Sequence, residues 1–550
     1  MTHPAAAFAR ELIAALAVHG VTDYVLCPGS RSGPLAHALA EAAAENRPPG
    51  APHVDLHVRI DERSAAFLAL GIARARSLTG PPRPVAVVTT SGTAVGNLLP
   101  AVMEAHHAGL PLLLLTADRP NELRGIGANQ TTDQEGLFGT FVRWAANSSA
   151  PECIERGGRA TLLAARAVHW ATGKPERDDL AAAPGPVHLN LEFRDPLGPD
   201  GAPWPDVRPE KATLLDRTRT RLQTLSKAAR KLPAGVRGVV IAGDGAGDDA
   251  RRVAEARGWP LLAEPTSGAR AGDHALVHYA ELLASAPGQE LAARVQHVVV
   301  IGRPTLSRSV QRLIDTAPSL VVAAHGARWR EAPRHAERVL PAVPDEWFVP
   351  GNADDAWLAE WRRACAEVAV ASERWDGRAV ARAFVSSLAA DDVALLGSSG
   401  PIRMVDAVAP VWSVGRAPTL VANRGLAGID GTVSTAMGLA LAIGKPTSAL
   451  MGDVTFLHDA GGLLVGSGER VPDLRIVVVN DGGGTIFSRL EHADAPPANV
   501  LRVFTTPHAA DLAAIANAYG ATHTRVESVG ELERALAKPP VGVHIVEAAI

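Results

Sequence analysis

The chain has 550 residues, of which 47% are hydrophobic and 20% are charged, and its formal net charge is -4. This length favours three or four domains, and the apolar content excludes a broadly disordered chain. A weakly acidic chain without a long basic block gives no compositional support for nucleic-acid binding.

The N-terminal segment predicts a helix and not a secretory signal. Apolar residues recur at helical spacing over residues 8–18, and Gly20 ends the pattern. Arg10 and Glu11 fall inside this apolar run, which a signal peptide would avoid. The most apolar stretch, residues 110–117, is too short to cross a bilayer. We therefore expect a cytoplasmic protein without a membrane span.

Strands and helices alternate in the first part of the chain. Strands are predicted at residues 21–26, 56–60, 84–90 and 110–116, and a helix follows each of the first three. This alternation indicates right-handed βαβ units around a parallel sheet. Ser30 and Arg31 lie in the loop after the first strand, where a hydroxyl and a guanidinium fork can hold a carboxylate. A turn with a solvated arginine is the alternative for this loop.

Glu62 is the candidate for proton transfer in this part of the chain. It follows a strand and lies at the start of a helix, where a carboxylate is electrostatically tolerated. A partly buried glutamate with a raised pKa can donate a proton to a ring nitrogen and help to deprotonate a cofactor carbon. A local helix cap is the alternative role.

The order of elements repeats near the C-terminus. Residues 432–443 predict a small-residue helix like that at 64–73, and strands at 447–452 and 474–479 match those at 85–92 and 112–116. We interpret the two ends of the chain as divergent copies of one α/β domain. Segments rich in proline and glycine separate them from a central α/β unit. The predicted fold is therefore α/β, with three doubly wound parallel-sheet domains at residues 1–198, 199–350 and 351–550.

The central unit contains a glycine turn. Gly243-Asp244-Gly245 follows a predicted strand and resembles the start of a dinucleotide-binding loop, but Asp248 stands where the last glycine of that motif belongs. We interpret this segment as a structural turn, with a nucleotide site as the alternative.

Two polar segments follow strands of the C-terminal copy. Gly452-Asp453 ends one strand, and Asn480-Asp481 follows another. Ligands bind beyond such strand ends in open parallel sheets. Carboxylate, amide and backbone oxygens suit a magnesium ion that keeps phosphate ligands, and the helix start after Asp453 suits a phosphate. Helix capping by Asp453 and Asp481 is the alternative.

These segments, Gly452-Asp453-Val454 and Asn480-Asp481, resemble the Gly-Asp-Gly and Asn-Asn signature of thiamine diphosphate enzymes. Val454 replaces the last glycine of the signature, and Asp481 replaces its last asparagine.

The resemblance implies a set of metal ligands. When this sequence is aligned with the signature without a gap, the metal ligands fall on Asp453, Asp481 and the backbone of Gly483. A one-residue gap moves the last two roles to Asn480 and Gly482, and the sequence leaves both alignments open.

Further stretches resemble one family of these enzymes, the 2-succinyl-5-enolpyruvyl-6-hydroxy-3-cyclohexene-1-carboxylate synthases of menaquinone biosynthesis. They occur in the order of that family and span both terminal domains, whereas the central domain adds little. The stretches are 27–32 (CPGSRS), 60–63 (IDER), 116–120 (TADRP) with 127–130 (GANQ), 423–425 (NRG) with 428–431 (GIDG), and 482–487 (GGGTIF).

The resemblance to this family implies three overlapping groups of site residues. The catalytic residues would be Glu62, Arg403 and Arg424. The cofactor contacts would be Glu62, Ser399, Ile429, Gly452, Asp453, Val454 and Asp481. The isochorismate contacts would be Ser30, Arg31, Arg119 and Gln130, with an apolar wall of Ile486, Phe487 and Leu490, whereas Ser399, Arg403 and Arg424 would hold the 2-oxoglutarate-derived unit.

The same resemblance implies a two-part reaction. Thiamine diphosphate with Mg²⁺ or Mn²⁺ would support decarboxylation of 2-oxoglutarate, followed by Stetter-like addition of the succinyl unit to isochorismate. It also implies a homodimer or homotetramer in which Glu62 of one chain faces the cofactor held by another.

Three alternatives differ in what they require of the chain. An acetolactate synthase-like enzyme would have little use for arginines at positions 31, 119, 403 and 424. A nucleotide-dependent oxidoreductase would use the turn at Gly243. A catalytically silent scaffold would not need Glu62, Asp453 and Asp481 together.

Overall fold

The structure, a computed structural model, describes residues 3–153, 158–173, 183–208, 231–323, 333, 335–340, 342–351, 354–369, 374–489 and 491–550. Three parallel sheets follow one another along these residues, each with helices packed against it. The α/β prediction with three sheets is therefore confirmed.

The N-terminal sheet has six strands. They are β1 (Asp23–Leu26), β2 (Asp55–Val58), β3 (Val85–Thr89), β4 (Leu112–Asp118), β5 (Trp144–Ser148) and β6 (Val187–Glu192), in the order β2-β1-β3-β4-β6-β5. Its helices are α1 (Pro4–Val18), α2 (Gly33–Ala43), α3 (Glu62–Leu78), α4 (Thr93–Gly96), α5 (Leu99–Ala108) and α6 (Arg159–Ala171).

The central sheet has five strands. They are β7 (Gly238–Ala242), β8 (Leu261–Ala263), β9 (His297–Ile301), β10 (Leu320–Ala323) and β11 (Arg338–Leu340), in the order β11-β10-β9-β7-β8. Its helices are α7 (Asp248–Arg257), α8 (Tyr279–Ala284), α9 (Ala286–Ala292) and α10 (Arg308–Asp315), and α11 (Asp355–Glu367) packs on the same core through Trp357, Trp361 and Cys365. The domain boundaries at residues 198 and 350 stay predictions.

The C-terminal sheet again has six strands. They are β12 (Val393–Leu396), β13 (Thr419–Val421), β14 (Thr447–Gly452), β15 (Leu474–Asn480), β16 (Thr522–Val526) and β17 (Val543–Ala549), in the order β13-β12-β14-β15-β17-β16. Its helices are α12 (Gly377–Ser386), α13 (Gly400–Val408), α14 (Thr432–Ile443), α15 (Asp453–His458), α16 (Pro497–Val500), α17 (Leu512–Ala518) and α18 (Val529–Leu536). Numbered within its own domain, each terminal sheet has the same strand order, as expected for two copies of one fold.

The two terminal sheets share one hydrophobic core. Strands that are buried on both faces consist of continuous apolar residues. Because successive side chains of a strand point to opposite faces of the sheet, alternate residues belong to different hydrophobic cores. Thus Val85 and Val87 of β3 join a core with Ile476 of β15, whereas Val88 faces a second core on the other side of the sheet. Helices α3 and α14 lie within the shared core, so the N- and C-terminal domains are packed as one body.

Glycines allow α3 and α14 to approach closely. A Cβ atom added at Gly71 would lie 2.1 Å from the carbonyl oxygen of Thr435, and one at Gly438 would lie 2.0 Å from the carbonyl oxygen of Leu68. Both obstacles are backbone atoms of a facing helix, which cannot move aside like a flexible side chain. The contact therefore requires glycine at both positions.

We expect Gly71→Ala to destabilise the protein. Alanine gains about 1 kcal/mol of helix propensity over glycine, but forcing two packed helices apart costs about 1–3 kcal/mol or more. A lower midpoint of thermal unfolding than in the wild type would follow. Gly80→Ala is the matched control, because a Cβ atom at Gly80 meets nothing within 4 Å; equal midpoints for the two variants would contradict this account.

The glycine turn after β7 has a packing explanation. A Cβ atom at Gly243 would lie 1.9 Å from the backbone nitrogen of Pro304, and Asp244 forms an antiparallel bridge with Arg303. The close approach of two backbones accounts for this glycine without a ligand. This contact supports the interpretation of Gly243-Asp244-Gly245 as a structural turn.

Candidate active site

Two of the predicted isochorismate contacts, Arg119 and Gln130, meet at Ser91, and a third, Arg31, is an electrostatic neighbour of Arg119. Arg119 donates a hydrogen bond from Nη1 to Ser91 Oγ. The Ser91 hydroxyl donates to the carbonyl oxygen of Gln130 at 3.0 Å, and Gln130 Nε2 donates to the carbonyl oxygen of Ser91 at 3.0 Å. Burial, and then the like charge of Arg31, lowers the pKa of Arg119, so the two guanidiniums are electrostatic neighbours. This site lies beyond the carboxyl ends of β3 and β4.

The two arginines of this group are anchored differently. Arg31 donates from Nη1 to the carbonyl oxygen of Phe193 at 2.8 Å and lies 3.7 Å from Asp195 Oδ2. The backbone N–H of Arg119 donates to Oδ1 of the buried Asp118 at 2.7 Å. Ser30 is exposed beside Arg31. The guanidinium of Arg31 and the backbone of Arg119 are therefore held in place. Both cationic groups can bind an anion at this edge of the N-terminal sheet.

A buried polar network lies beneath these side chains. Asp118 accepts hydrogen bonds from Arg124 at 2.7 Å and from Asn190 at 2.8 Å. Gln134 donates to Asn190 at 2.8 Å and accepts from the backbone N–H of Gly92 at 2.8 Å. The network links the loops after β3 and β4, because its members belong to both.

Sequence reasoning gave no role to Ser91 or Gln134. The position of Ser91 directly after a buried strand is the sequence feature that could have marked it. Gln134 has no such feature in the sequence, since its contacts depend on the fold.

A second group of cationic residues lies in the C-terminal domain. Ser399, the residue before α13, has a φ of 72°, a backbone conformation that is strained for a non-glycine residue. Arg403 donates from Nη1 to the carbonyl oxygen of Ser399 at 2.7 Å. Removal from water, and then the like charge of Arg424, lowers the pKa of Arg403. The structure thus brings Ser399, Arg403 and Arg424 together.

The two predicted metal-binding segments are in direct contact. Asp453 is buried, with 2% of its surface exposed. Its Oδ2 accepts from the backbone N–H of Gly483 at 2.9 Å and lies 3.1 Å from His508 Nε2, and its Oδ1 accepts from the N–H of Val454 at 2.6 Å. Gly483 has a φ of 147°, and a Cβ atom there would lie 2.5 Å from the carbonyl oxygen of Thr505. This position therefore requires glycine.

Asn480 and Asp481 point to different partners. Asn480 donates from Nδ2 to Glu547 Oε1 at 2.7 Å, and its Oδ1 accepts from the N–H of Gly482 at 3.2 Å. Asp481 accepts a hydrogen bond from the Thr485 hydroxyl through Oδ2. Among the described residues, no group of three or more histidine, cysteine, aspartate or glutamate side chains is arranged to hold a metal.

Glu62 lies at the start of α3 and is half-buried. Its Oε2 accepts a long hydrogen bond of 3.5 Å from Asn97 Nδ2. The following residue, Arg63, donates from Nη2 to the carbonyl oxygen of His458 at 3.0 Å, at the end of α15. The helix that carries Glu62 therefore contacts the helix that begins at Asp453.

The predicted apolar contacts are half-buried. Ile429 precedes α14, and its carbonyl oxygen accepts from the Thr432 hydroxyl at 2.8 Å. Ile486 and Phe487 follow the glycine run after β15, and the Phe487 ring lies 5.4 Å from that of Phe504. The third predicted member of the wall, Leu490, lies outside the described residues.

In the part of the chain that the structure describes, no helix has the length and apolar character needed to cross a membrane.

Comparison with known proteins identifies the terminal domains. Residues 7–137 match the family model of the N-terminal TPP binding domain of thiamine pyrophosphate enzymes, and residues 403–541 match that of the C-terminal TPP binding domain. A structure of benzoylformate decarboxylase from Polynucleobacter necessarius superposes with a TM-score of 0.68 and 18% identity, covering 100% of this chain and 99% of that one. At this identity, the likeness concerns the fold alone.

Curated relatives match nearly the full chain. The 2-succinyl-5-enolpyruvyl-6-hydroxy-3-cyclohexene-1-carboxylate synthase of Nocardioides sp. is 46% identical over 566 residues, covering 99% of this chain and 95% of that protein. The synthase of Kineococcus radiotolerans is 46% identical over 563 residues, covering 99% and 96%. These matches confirm the resemblance deduced from the motifs and do not favour the acetolactate synthase-like or oxidoreductase alternatives. The chain therefore belongs to the thiamine diphosphate-dependent 2-succinyl-5-enolpyruvyl-6-hydroxy-3-cyclohexene-1-carboxylate synthases.

Proposed function

We propose that this protein decarboxylates 2-oxoglutarate and adds the resulting succinyl unit to isochorismate, giving 2-succinyl-5-enolpyruvyl-6-hydroxy-3-cyclohexene-1-carboxylate in menaquinone biosynthesis. The observation that carries this proposal is the similarity to synthases of that name over 99% of the chain. Thiamine diphosphate, when bound, would supply an electron sink for loss of carbon dioxide. The chain's own residues would bind, orient and exchange protons.

Asp453, Asp481 and the backbone of Gly483 are the proposed ligands of a magnesium or manganese ion. Two carboxylates and a carbonyl, completed by diphosphate oxygens, form a donor set that Mg²⁺ uses in proteins. The fit is supported by the contact between Asp453 and Gly483 at 2.9 Å. The other alignment gives the alternative set of Asp453, Asn480 and the backbone of Gly482; Asn480 and Asp481 each accept one hydrogen bond within this turn.

The cofactor would extend between the C-terminal domain of one chain and the N-terminal domain of its partner. Gly452 and Val454 would flank its diphosphate beside Asp453, and Ser399 would contact it from the start of α13. The half-buried Ile429 would support its bent shape, and Glu62 would hold and return a proton at its ring nitrogen.

The two arginine groups would divide the substrates between them. Arg31 and Arg119, with Ser30 and Gln130, would bind the carboxylates of isochorismate, since arginine provides paired donors for such groups. Arg403 and Arg424, with Ser399, would hold the unit derived from 2-oxoglutarate and stabilise its charge during the reaction. Ile486 and Phe487, with Leu490, would cover the carbocycle.

The active unit would be a homodimer, or a tetramer built from dimers, in the cytoplasm. Glu62 of one chain would face the cofactor of its partner. Ile60, two residues before Glu62, has 70% of its surface exposed in the single chain, as a residue at such a subunit contact would require.

The test of the proposed function follows 2-oxoglutarate consumption by the purified protein, with and without isochorismate, omitting thiamine diphosphate or the divalent ion in turn. We expect consumption to require both cofactors and to rise sharply with isochorismate. Chelation with EDTA would remove the activity, and added Mg²⁺ would restore it. Consumption of pyruvate with 2-oxoglutarate untouched would contradict the proposed substrate, whereas consumption without thiamine diphosphate would contradict the proposed chemistry.

A further inference from the structure

The central domain contributes a buried carboxylate next to the second arginine group. Glu264 follows β8 and is only 3% exposed. Its Oε1 accepts hydrogen bonds from the backbone N–H groups of Thr305 at 2.7 Å and of Leu306 at 2.8 Å. Its Oε2 is buried and has no hydrogen-bond partner among the described residues. The carboxylate therefore fixes the loop before α10 with one oxygen and leaves the other unused.

The loop held by Glu264 reaches Arg424. Arg424, 3% exposed, donates from Nη2 to the Thr305 hydroxyl, and its own Nε is buried without a partner among the described residues. Burial raises the pKa of Glu264 to about 8, and the positive charge of Arg424 opposes that rise. The contacts thus run from Glu264 through Thr305 to a guanidinium of the C-terminal domain.

The central domain also holds the helix that carries Arg403. Arg270 donates from Nη1 to Asp406 Oδ1 at 2.8 Å and from Nη2 to the carbonyl oxygen of Asp406 at 2.7 Å. The Tyr279 hydroxyl donates to Asp406 Oδ1 at 2.7 Å. Asp406 lies one turn after Arg403 in α13. Both arginines of the group are therefore placed by contacts from the central domain.

We infer that Glu264 and Thr305 are positioning residues that set the orientation of Arg424 for the carboxylate of the 2-oxo acid substrate. The inference rests on the proposed function. The guanidinium of a buried arginine can rotate unless hydrogen bonds hold its N–H groups in one orientation. In a wrong orientation it cannot form the two parallel hydrogen bonds that bind a carboxylate. The central domain, which carries none of the predicted site residues, would in this way determine affinity for a dicarboxylate.

The test compares near-isosteric variants. Thr305→Val removes the acceptor of Arg424, Thr305→Ser keeps it, and Glu264→Gln keeps an oxygen for the loop while replacing the unpartnered carboxyl oxygen with an amide. Loss of one hydrogen bond to a charged group corresponds to about tenfold in affinity. We expect the KM for 2-oxoglutarate to rise about tenfold in Thr305→Val, kcat to fall by a smaller factor, and the KM for isochorismate to stay within about twofold of wild type. The same changes should be smaller in Glu264→Gln, because the loop keeps an acceptor. Thr305→Ser should restore the wild-type value.

Thr266→Val is the matched control, because Thr266 is a buried threonine in the same domain whose hydroxyl has no hydrogen-bond partner among the described residues. A parallel titration measures 2-oxoglutarate binding without isochorismate. Unchanged binding and KM in Thr305→Val, or an equal loss for both substrates with a lower unfolding temperature, would overturn the inference alone. A wild-type protein that neither binds nor consumes 2-oxoglutarate would overturn the proposed function and the inference together.

Discussion

Replacing Glu62 with glutamine is expected to lower turnover of 2-oxoglutarate by about 10²- to 10⁴-fold, the usual contribution of a general acid or base. An amide has the size of the carboxyl group but cannot accept and return a proton. Because Glu62 belongs to the N-terminal domain and the diphosphate segments to the C-terminal domain, affinity for thiamine diphosphate should fall little. Steady-state turnover and calorimetric titration of the cofactor measure the two effects separately.

Asp61→Asn is the control for this experiment. Asp61 caps α3 by accepting from the N–H of Arg63 at 2.9 Å, and asparagine caps a helix as well as aspartate does. The control should keep most of the activity. Full activity in Glu62→Gln would remove the proton-relay role, whereas loss of cofactor affinity equal to the loss of turnover would make Glu62 a binding residue only.

Asp453→Ala is expected to weaken metal-dependent binding of thiamine diphosphate by more than about 100-fold. Loss of residues that merely orient a metal ligand already costs about 10- to 100-fold, and Asp453 is proposed as a ligand itself. The carboxylate also accepts from the N–H groups of Val454 and Gly483, so its removal would leave two backbone donors beside the proposed diphosphate site without this partner. Calorimetric titration of the cofactor with and without Mg²⁺ measures this loss.

The matched control for Asp453 is Asp391→Ala in the same domain. Asp391 is exposed, and its contact with Lys445 is 3.8 Å long, so it should contribute little to stability or binding. Asp453→Asn serves as a second variant, because the amide oxygen can still accept from Gly483. Unchanged metal-dependent affinity in both Asp453 variants would place the metal elsewhere.

Much of the fold could be predicted because its inner strands are continuous apolar runs. Strands β3, β4, β14 and β15 are buried on both faces, and they were found within a few residues of their observed ends. The outer strand β5 is different, because its residues alternate between half-buried and exposed before the buried Ser148. Residues 144–148 form a strand because they pair with β6, and the local sequence pattern does not reveal this pairing.

The candidate site divides in the same way. Asp453, Asn480 and Asp481 were recognisable because polar residues directly follow buried strands. His508 and Glu264 were not, since each acts through a contact made by the folded chain: His508 lies 55 residues from Asp453, and Glu264 lies 41 residues from Thr305. Neither position has a neighbouring motif, so only the tertiary structure reveals these contacts.

The core shared by α3 and α14 affects how the protein is made. One half of this core is synthesised early, but its partner helix begins only at Thr432. At a ribosomal rate of about 5–20 residues per second, roughly 20 to 70 seconds pass between the synthesis of α3 and the synthesis of α14, and the apolar side of α3 has no partner during this time. During that interval the nascent N-terminal domain exposes a surface that favours aggregation or chaperone binding. A fragment truncated before residue 432 should therefore be found bound to chaperones or in inclusion bodies, even though its own sheet is complete.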